Sequence, residues 1–253
     1  MLIIVSIEPT SIMKKCTLTV LTFLLFFSCN KDEDPRPENP ADSPYEVIID
    51  PNDFVGTDIT GNDFLPLVAM KTYTYEGTNE DNEKVKVEEA YLEETKVVMG
   101  VTCRVVHARE WVNDELVEDT FDWYAQDKQG NVWYFGEDTK ELEGGQVVST
   151  GGSWEAGVDG ALPGVIMPAN LIPGMWYRQE YYQGEAEDVG QILGLNKSVT
   201  VAFGTFDNCL LTAEWSLLEP GIVEHKYYAP GVGLVKVEVV KGETGHEELV
   251  SIK

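Results

Sequence analysis

The sequence predicts an all-β domain, built as an antiparallel meander that rolls into a barrel or a strongly curved half-barrel and carries one long Gly/Pro-rich loop. From Met70 onward, short runs of β-branched and aromatic residues alternate with polar ones, which is typical of half-buried strands. Turn residues separate these runs at short intervals, so strands are expected to pair in sequence order. The expected strands are residues 71–76, 84–92, 95–99, 103–112, 116–126, 132–137, 146–150, 176–183, 189–195, 198–203, 210–217, 224–229, 232–240 and 247–252.

The clearest hairpin joins residues 122–126 to residues 132–135. Asp127 stands at the first turn position and Gly130 where a positive φ is needed, which favours a type I turn with a bulge. The same acidic turn lacks the alternating ligands and the terminal Glu of a calcium-binding loop. We therefore expect a plain turn that pairs the aromatic residues of two strands.

Residues 151–174 break the strand pattern, because they are rich in Gly and Pro, poor in charge and apolar around Ile166 and Met167. A connection of this length without regular structure is uncommon in a compact domain. Its large apolar side chains argue against disorder. Two alternatives follow: the loop is a plug that fills one end of the barrel, or it is a lid over an apolar ligand cavity. In either case Ile166 and Met167 are expected to point inward.

Residues 1–28 are typical of a secretory signal peptide. Lys14 and Lys15 form its basic region, an apolar core follows, and the small residue Ser28 precedes Cys29. Residues 1–12 contribute nothing to this pattern, so translation is expected to start at Met13. A membrane-spanning anchor would need about 20 apolar residues, and this run stops short. The segment resembles the lipobox of bacterial lipoproteins, which implies that Cys29 is diacylated through its sulfur and begins the mature chain.

Residues 29–45 are predicted to form an acidic, proline-rich tether, because they carry too little apolar surface to fold. The run at residues 31–34 resembles the acidic export signal of Bacteroidetes lipoproteins; a solvated linker would have the same composition. The predicted location is the outer membrane with the domain exposed at the cell surface, and a periplasm-facing location is the second choice. Residues 46–253 are predicted to form a single β domain, since no repeat or second linker divides them.

The chain is strongly acidic, with a formal net charge of −26 at pH 7. A field of that sign repels nucleic acid, so no nucleic-acid partner is expected. Cys103 and Cys209 remain after signal removal and lipidation, and strand alternation places both with the inward apolar set. They either form a disulfide or stay free, because a bridge requires Cα atoms within about 7 Å of each other.

No catalytic motif is present. Residues 151–155 lack the closing Gly of a nucleophile elbow, and residues 246–250 lack the second His of a zinc-protease motif. The cluster of Glu185, Glu187 and Asp188 either discourages strand addition at a sheet edge or binds Ca²⁺ through carboxylate oxygens. No other cofactor is predicted.

Aromatic residues provide the best sequence argument for a binding role. Trp and Tyr are most often core residues. Adjacent aromatics on a strand point to opposite faces, however, so some must lie outside or in a cavity. The candidate ligand-binding residues are Trp154, Ile166, Met167, Trp176 and Tyr181.

Several segments resemble a family of secreted bacterial lipoproteins of unknown function, of the Bacteroidetes type. These segments are residues 122–127, 130–139, 152–161, 177–182, 184–188 and 226–235, and the resemblance extends over about residues 64–240. It implies no activity and no catalytic residue. More loosely, a curved antiparallel sheet behind a lipidated cysteine is similar to the lipoprotein-localisation carriers, which hold acyl chains in a half-barrel.

Two functional hypotheses follow from the sequence. The first is a membrane-anchored lipoprotein whose non-enzymatic β domain binds an apolar ligand, such as a lipid, or a glycan. The second is a carbohydrate-active hydrolase that uses paired carboxylates. Two carboxyl groups about 5 to 10 Å apart in an aromatic cleft would support the second hypothesis.

Overall fold

The computed structural model describes residues 44–253. The predicted signal peptide, the lipidated Cys29 and nearly all of the tether lie outside this range. No helix within it is long and apolar enough to cross a membrane. A short 3-10 turn at Pro51–Asp53 precedes the strands. The strands are β1 Lys71–Thr78, β2 Lys84–Val98, β3 Val101–Val112, β4 Glu115–Gln126, β5 Val132–Glu143, β6 Gln146–Ser149, β7 Trp154–Glu155, β8 Leu162–Met167, β9 Trp176–Arg178, β10 Glu180–Tyr181, β11 Asp188–Val201, β12 Gly204–Ser216, β13 Val223–Ala229, β14 Gly233–Lys241 and β15 His246–Ile252.

The strands form one antiparallel sheet that curls into a nearly closed barrel with one unsealed seam. Its strand order is β10-β8-β5-β4-β3-β2-β1-β15-β14-β13-β12-β11-β9. Neighbours in sequence pair from β1 to β5 and from β11 to β15, and β15 pairs with β1. The prediction of an all-β antiparallel meander rolled into a barrel is therefore confirmed.

Two predicted strand breaks are wrong. The strands expected at residues 84–92 and 95–99 form one strand, β2, whose register against β3 shifts between Tyr91 and Thr95. Residues 189–195 and 198–203 likewise belong largely to β11, whose register against β12 shifts three times. A bulge accommodates extra residues while pairing continues beyond it, so a polar interruption in the sequence need not end a strand.

The seam is bridged by one short piece of chain, the crossing segment (residues 176–181). Its first half, β9, pairs with β11, and its second half, β10, pairs with β8, with Gln179 between them. Two glycines permit this close approach. A Cβ atom on Gly164 would lie 2.3 Å from the carbonyl carbon of Gln179, and one on Gly190 would lie 2.4 Å from the ring of Tyr177.

Residues 151–174 are neither plug nor lid, and the expectation that they lack regular structure is wrong. They contain β7 and β8, and β8 pairs with β5 on one side and with β10 on the other. Met167 is fully buried in the barrel core, as expected. Ile166 is partly buried and packs against both hydrophobic clusters of the domain. This segment is therefore part of the barrel wall beside the seam.

One end of the barrel is filled by a different segment, the plug (residues 54–67). Ile59 and Leu67 pair in an isolated bridge and are buried in the barrel core. At one side the backbone N–H of Gly61 donates to Gln126 at the end of β4, over 2.9 Å. At the opposite side the backbone N–H of Gly231, between β13 and β14, donates to the plug over 2.7 Å. The plug therefore crosses the barrel end from wall to wall.

The two remaining cysteines lie in different hydrophobic clusters and are free thiols. Cys209 belongs to the barrel core. Cys103 belongs to a second cluster, which includes Trp123 and Phe135 and covers the outer face of β3 to β5. The predicted inward position of Cys103 is wrong, because the sheet is covered on both faces here and alternation cannot distinguish two buried faces.

Candidate functional site

The inner face of the barrel carries a band of carboxylates on the side away from the plug. Directly opposite residues on paired strands share a face, as do residues two apart on one strand. Glu247, for example, lies opposite Gly77 and two residues before the fully buried Leu249, so it faces inward. Applied around the barrel, this defines the acidic belt: Glu89, Glu110, Glu118, Asp122, Glu137, Glu180, Asp188, Glu214, Glu224 and Glu247.

Two buried carboxylates of the belt, Asp122 and Glu137, lie opposite each other on β4 and β5. They are only 7% and 3% exposed. The hydroxyl of Tyr134 donates to Oδ1 of Asp122 over 2.6 Å, whereas Oε1 of Glu137 has no hydrogen-bond partner among the described residues. Burial raises the pKa of Asp122 to about 6. Burial and the charge of Asp122 raise the pKa of Glu137 well above its usual range.

Glu180 brings a third buried carboxylate to this group from the crossing segment. It is 1% exposed, and Nε1 of Trp154 donates to its Oε2 over 3.0 Å. Its Oε1 has no partner within residues 44–253. Burial, together with Asp188 and Glu137, raises the pKa of Glu180 well above its usual range. A buried carboxyl with a raised pKa and a free oxygen is therefore held beside the seam.

An ion-paired amine lies on the next part of the belt. Nζ of Lys226 is 3.2 Å from Oε2 of Glu214 and 3.3 Å from Oε2 of Glu224. Burial alone would raise the pKa of Glu214, but Lys226 and several hydrogen-bond donors hold that pKa below its usual value. These donors are Gln179, Thr212 and Tyr228. The belt thus already binds one ammonium group through two carboxylates.

Towards the end opposite the plug, the belt reaches solvent. Glu110 lies opposite Glu118, and both are partly exposed, as are Glu89 and Glu247. Burial and neighbouring carboxylates raise the pKa of Glu89 and of Glu110 to about 7 and that of Glu247 to about 8. The interior therefore changes from a packed apolar end to an acidic end that water can enter.

Outside the barrel, a shallow groove of about 470 Å³ follows the seam. Trp133, Val165 and Trp176 line it, and residues 44–47 form one of its borders. The hydroxyl of Tyr45 in that border donates to the carbonyl oxygen of Pro163 in β8 over 2.8 Å. The start of the domain is therefore attached beside the seam.

The predicted ligand-binding residues do not form one site. Trp154 contacts the belt through Glu180, and Met167 is part of the barrel core. Ile166 lies between the two hydrophobic clusters. Sequence alternation places their residue types correctly in the interior but cannot bring them together.

The other two predicted residues lie beside the seam. Trp176 borders the outer groove and packs edge to face against Trp215, with ring centroids 4.7 Å apart. The ring of Tyr181 lies 5.5 Å from that of Tyr45. These contacts belong to the outer surface and not to the belt.

The structure does not assemble the hypothesised calcium site. Among the described residues, no group of three His, Cys, Asp or Glu side chains could hold a metal ion. Glu185 is exposed in a turn, and Glu187 accepts a hydrogen bond from the backbone N–H of Gly184 over 2.8 Å. Asp188 instead begins β11 and belongs to the belt.

Sequence reasoning did not select Glu137, Glu180 or Glu214, because acidic residues are frequent throughout this chain. A signal was present nonetheless. Asp122 precedes the inward Tyr124 by two residues, and Glu89 precedes the buried Tyr91 by two residues. Residues two apart on a strand share a face. An acidic residue two positions from a buried aromatic residue therefore indicates a carboxylate on the inner face.

No family model matches this chain, and no curated protein matches it either. Among solved structures, one similar chain is a protein of Bacteroides fragilis that is assigned as exported and has a YmcC-like fold. It is 15% identical, with a TM-score of 0.45, and the match covers 76% of this chain and 99% of that one. A Parabacteroides distasonis protein assigned as a lipoprotein is 13% identical, with a TM-score of 0.34 and the same two coverages. Neither description names a ligand or a reaction.

Proposed function

We propose that this protein is a membrane-anchored lipoprotein, attached to the outer membrane through Cys29 and exposed at the cell surface, whose barrel binds a polar ligand of the glycan class without catalysis. The acidic belt is the observation that carries this proposal. Its buried members Glu137 and Glu180 each keep a carboxyl oxygen without a partner in the described chain. A ligand hydroxyl or amine would supply the missing donors.

The belt is more than a packing device. Burying carboxylates is unfavourable unless they are fully paired, and an apolar residue of similar volume would often stabilise the fold more. Unpartnered buried polar groups in a folded protein call for an explanation such as a ligand. A binding role explains why several strands each place an acid on the same inner face.

The interior is better suited to a polar ligand than to a lipid. The apolar end of the barrel is occupied by its own side chains: the rings of Tyr73 and Tyr91 stack with centroids 4.9 Å apart, and Tyr75 and Leu249 are almost wholly buried. The plug covers them. An acyl chain would have to displace this packing, whereas a polar ligand would enter the acidic end.

The pair of Asp122 and Glu137 also supports the second candidate function, a carbohydrate-active hydrolase. Such enzymes use one carboxyl group that keeps its proton and a second that is ionised. The pKa of Asp122 is raised to about 6, whereas that of Glu137 is raised well above its usual range, so the two facing carboxyls differ in the way such a pair requires. The two functions differ in one measurable outcome, which is the release of new reducing ends.

Binding is tested with the intact lipoprotein in detergent micelles against an array of bacterial and host glycans. Glu137→Gln should weaken capture, because it changes a belt carboxyl without changing volume. Asp138→Asn is the matched control, since Asp138 is the next residue on β5 and is exposed. Equal capture by both variants, or no capture by the parent protein, would contradict the proposal. Reducing ends that appear with the parent and disappear with Glu137→Gln would establish the hydrolase instead.

The anchor is tested separately with Cys29→Ser. This variant should incorporate no labelled fatty acid and should leave the membrane fraction, since stable anchoring needs two or more acyl chains. Replacement of residues 31–34 by Ala should keep the lipid but reduce cleavage by external protease. Unchanged membrane retention would exclude the anchor, and unchanged cleavage would make the acidic run a plain linker.

A further inference from the structure

We infer that the ligand of the acidic belt carries more than one protonated amine, as polyamines and amino-sugar oligomers do. This inference rests on the binding role proposed for the acidic belt: an amino-sugar oligomer would keep the ligand within the glycan class, whereas a polyamine would replace that class with another multivalent organic cation. Four observations support it: the charge of the inner face, the free oxygens of two buried acids, the spacing of the belt and the way it already holds a lysine.

The inner face has an excess of carboxylates over cations. Lys226 is already engaged by Glu214 and Glu224. In the described part of the chain, no ion pair involves Glu110, Glu137, Glu180 or Glu247. Ionised carboxylates on facing strands repel one another, so the folded protein gains stability when a cation enters.

Two of these carboxylates are buried, and each lacks a hydrogen-bond donor at one oxygen. Glu137 and Glu180 are 3% and 1% exposed, and each has one oxygen without a hydrogen bond within residues 44–253. Trp154 fixes the other oxygen of Glu180. An ammonium group offers three N–H donors, so a ligand with more than one amine has enough donors for both oxygens.

The belt is spread out, which favours several separate charges over one metal ion. Its members occupy β2 to β5, β10 to β13 and β15, and neighbouring strands are about 4.8 Å apart. No trio of acids, His or Cys in the described range could coordinate a metal. A chain-like cation with amines a few bonds apart can meet carboxylates on successive strands. The Lys226 contacts show that two belt carboxylates accommodate one such ammonium.

Amine binding should also release protons. The carboxyls near the open end face other acids from every strand packed on them: Glu110 faces Glu118 and Glu224, and Glu247 faces Glu110 and Glu224, with Lys226 as the nearby cation. These neighbours hold part of the belt protonated near neutral pH. A cation restores the ionised forms, so affinity for an amine that stays protonated over this range, such as spermine, should rise between pH 6 and pH 8. A neutral sugar would show the opposite trend or none.

The test is titration calorimetry on the intact lipoprotein in micelles, with three probes: spermine, a tetramer of glucosamine, and the tetramer of N-acetylglucosamine as the uncharged match. Measurement in two buffers of different ionisation enthalpy counts the released protons. We expect spermine, whose amines stay largely protonated, to bind with proton release. The glucosamine tetramer should also bind, with its own proton uptake offsetting that release, and the acetylated tetramer should bind at least about tenfold more weakly than either, equivalent to about 1.4 kcal/mol. Preference between the two amine probes distinguishes a polyamine from an amino-sugar source.

Variants locate the site. The double variant Glu110→Gln/Glu247→Gln should weaken amine binding about tenfold or more, because two inward charges are lost. The control Glu88→Gln/Glu248→Gln removes the same net charge from the neighbouring outward positions on β2 and β15. It should bind like the parent. Circular dichroism confirms that each variant is folded.

Four outcomes would overturn the inference. Equal weakening in both double variants would mean diffuse attraction to an acidic surface. Spermine affinity that falls as pH rises from 6 to 8 would contradict the proton release. If the acetylated tetramer binds as tightly as the amine and depends on Glu137, the glycan-binding proposal stands and the amine inference fails. If no probe binds and the glycan array is also negative, both fail.

Discussion

The two ends of the barrel interior are built from the same strands but have opposite character. At the plugged end, β1, β2 and β15 contribute Tyr73, Tyr91 and Leu249, all buried. Two residues before Tyr91 and Leu249, β2 and β15 contribute Glu89 and Glu247 to the same inner face, and Glu89 lies directly opposite Tyr73. The inner face of the barrel is therefore not one continuous apolar core. One end stabilises the fold, and the other carries charge that the fold must tolerate.

Within one strand, the apolar residues stabilise the fold, whereas the acidic residues on the same face are the proposed binding groups. Apolar burial contributes about 25 cal/mol per Å² removed from water, whereas buried like charges oppose folding. Changes at the plugged end should therefore destabilise the protein, while charge removal at the acidic end should stabilise it. The predictions below test that contrast.

The largest effect is expected at the plugged end. Leu249→Ala should lower the free energy of unfolding by about 4 kcal/mol, because a fully buried leucine leaves a cavity. Urea denaturation measures this loss. Val240→Ala, at a side chain that is 45% exposed, is the control and should change stability by less than about 0.5 kcal/mol. A loss below about 1 kcal/mol at Leu249 would mean that the plugged end is loosely packed.

The next effect concerns pH. A carboxyl whose pKa is raised in the folded state keeps its proton where the unfolded chain has lost it, so stability falls as pH rises through that interval. For Glu247 the interval runs from 4.5 to about 8. We expect unfolding free energy to drop by about 3 kcal/mol between pH 5 and pH 8, with several belt residues contributing. Constant or rising stability over this range in urea melts would show that the belt is not protonated.

A smaller change in stability is expected for a single belt residue, Glu247, compared with its outward neighbour Glu248. Glu247→Gln should stabilise the protein by about 1 kcal/mol at pH 8 and flatten the pH profile, because it removes an inward charge. Glu248→Gln, at the adjacent outward position, should leave the profile unchanged. Thermal melts at pH 5 and pH 8 compare the two variants. Identical profiles would place the titrating charge elsewhere.

The smallest effect lies at the seam, where the two halves of the sheet meet. Gln179→Leu removes the donor to Oε2 of Glu214 but leaves the contacts with Lys226, Thr212 and Tyr228, so the cost should be about 1 kcal/mol. Amides of the crossing segment should exchange faster with deuterium. Gln183→Leu, at an exposed position, is the control. Unchanged exchange would show that backbone pairing alone holds the seam.

The strand content of this domain could be read from local patterns, because alternation and turn residues act over a few positions. Most expected strands correspond to observed ones, and bulges explain the merging of pairs into β2 and β11. β8 was missed because Pro163 and Gly164 discourage a strand. In the folded chain, Gly164 is required for the close approach of the crossing segment.

The candidate site could be predicted far less well. Trp154 was selected and does contact the belt, but its partner Glu180 was not selected. The chain offers so many acids that composition could not distinguish an inward Glu from a solvated one. Cys103 was placed on the wrong face for another reason: both faces of the sheet are covered there, and alternation cannot distinguish two buried faces.

The sequence by itself determined the all-β class and the meander order, since both depend on period-two alternation and short connections. It also predicted the lipidated Cys29, which lies outside the described residues. Only the tertiary structure decided which face of each strand became the interior, which segment filled the barrel end and which acids came to face one another. The reason is physical: alternation assigns residues to two faces, but closure of the sheet through the crossing segment determines which face encloses the acidic belt.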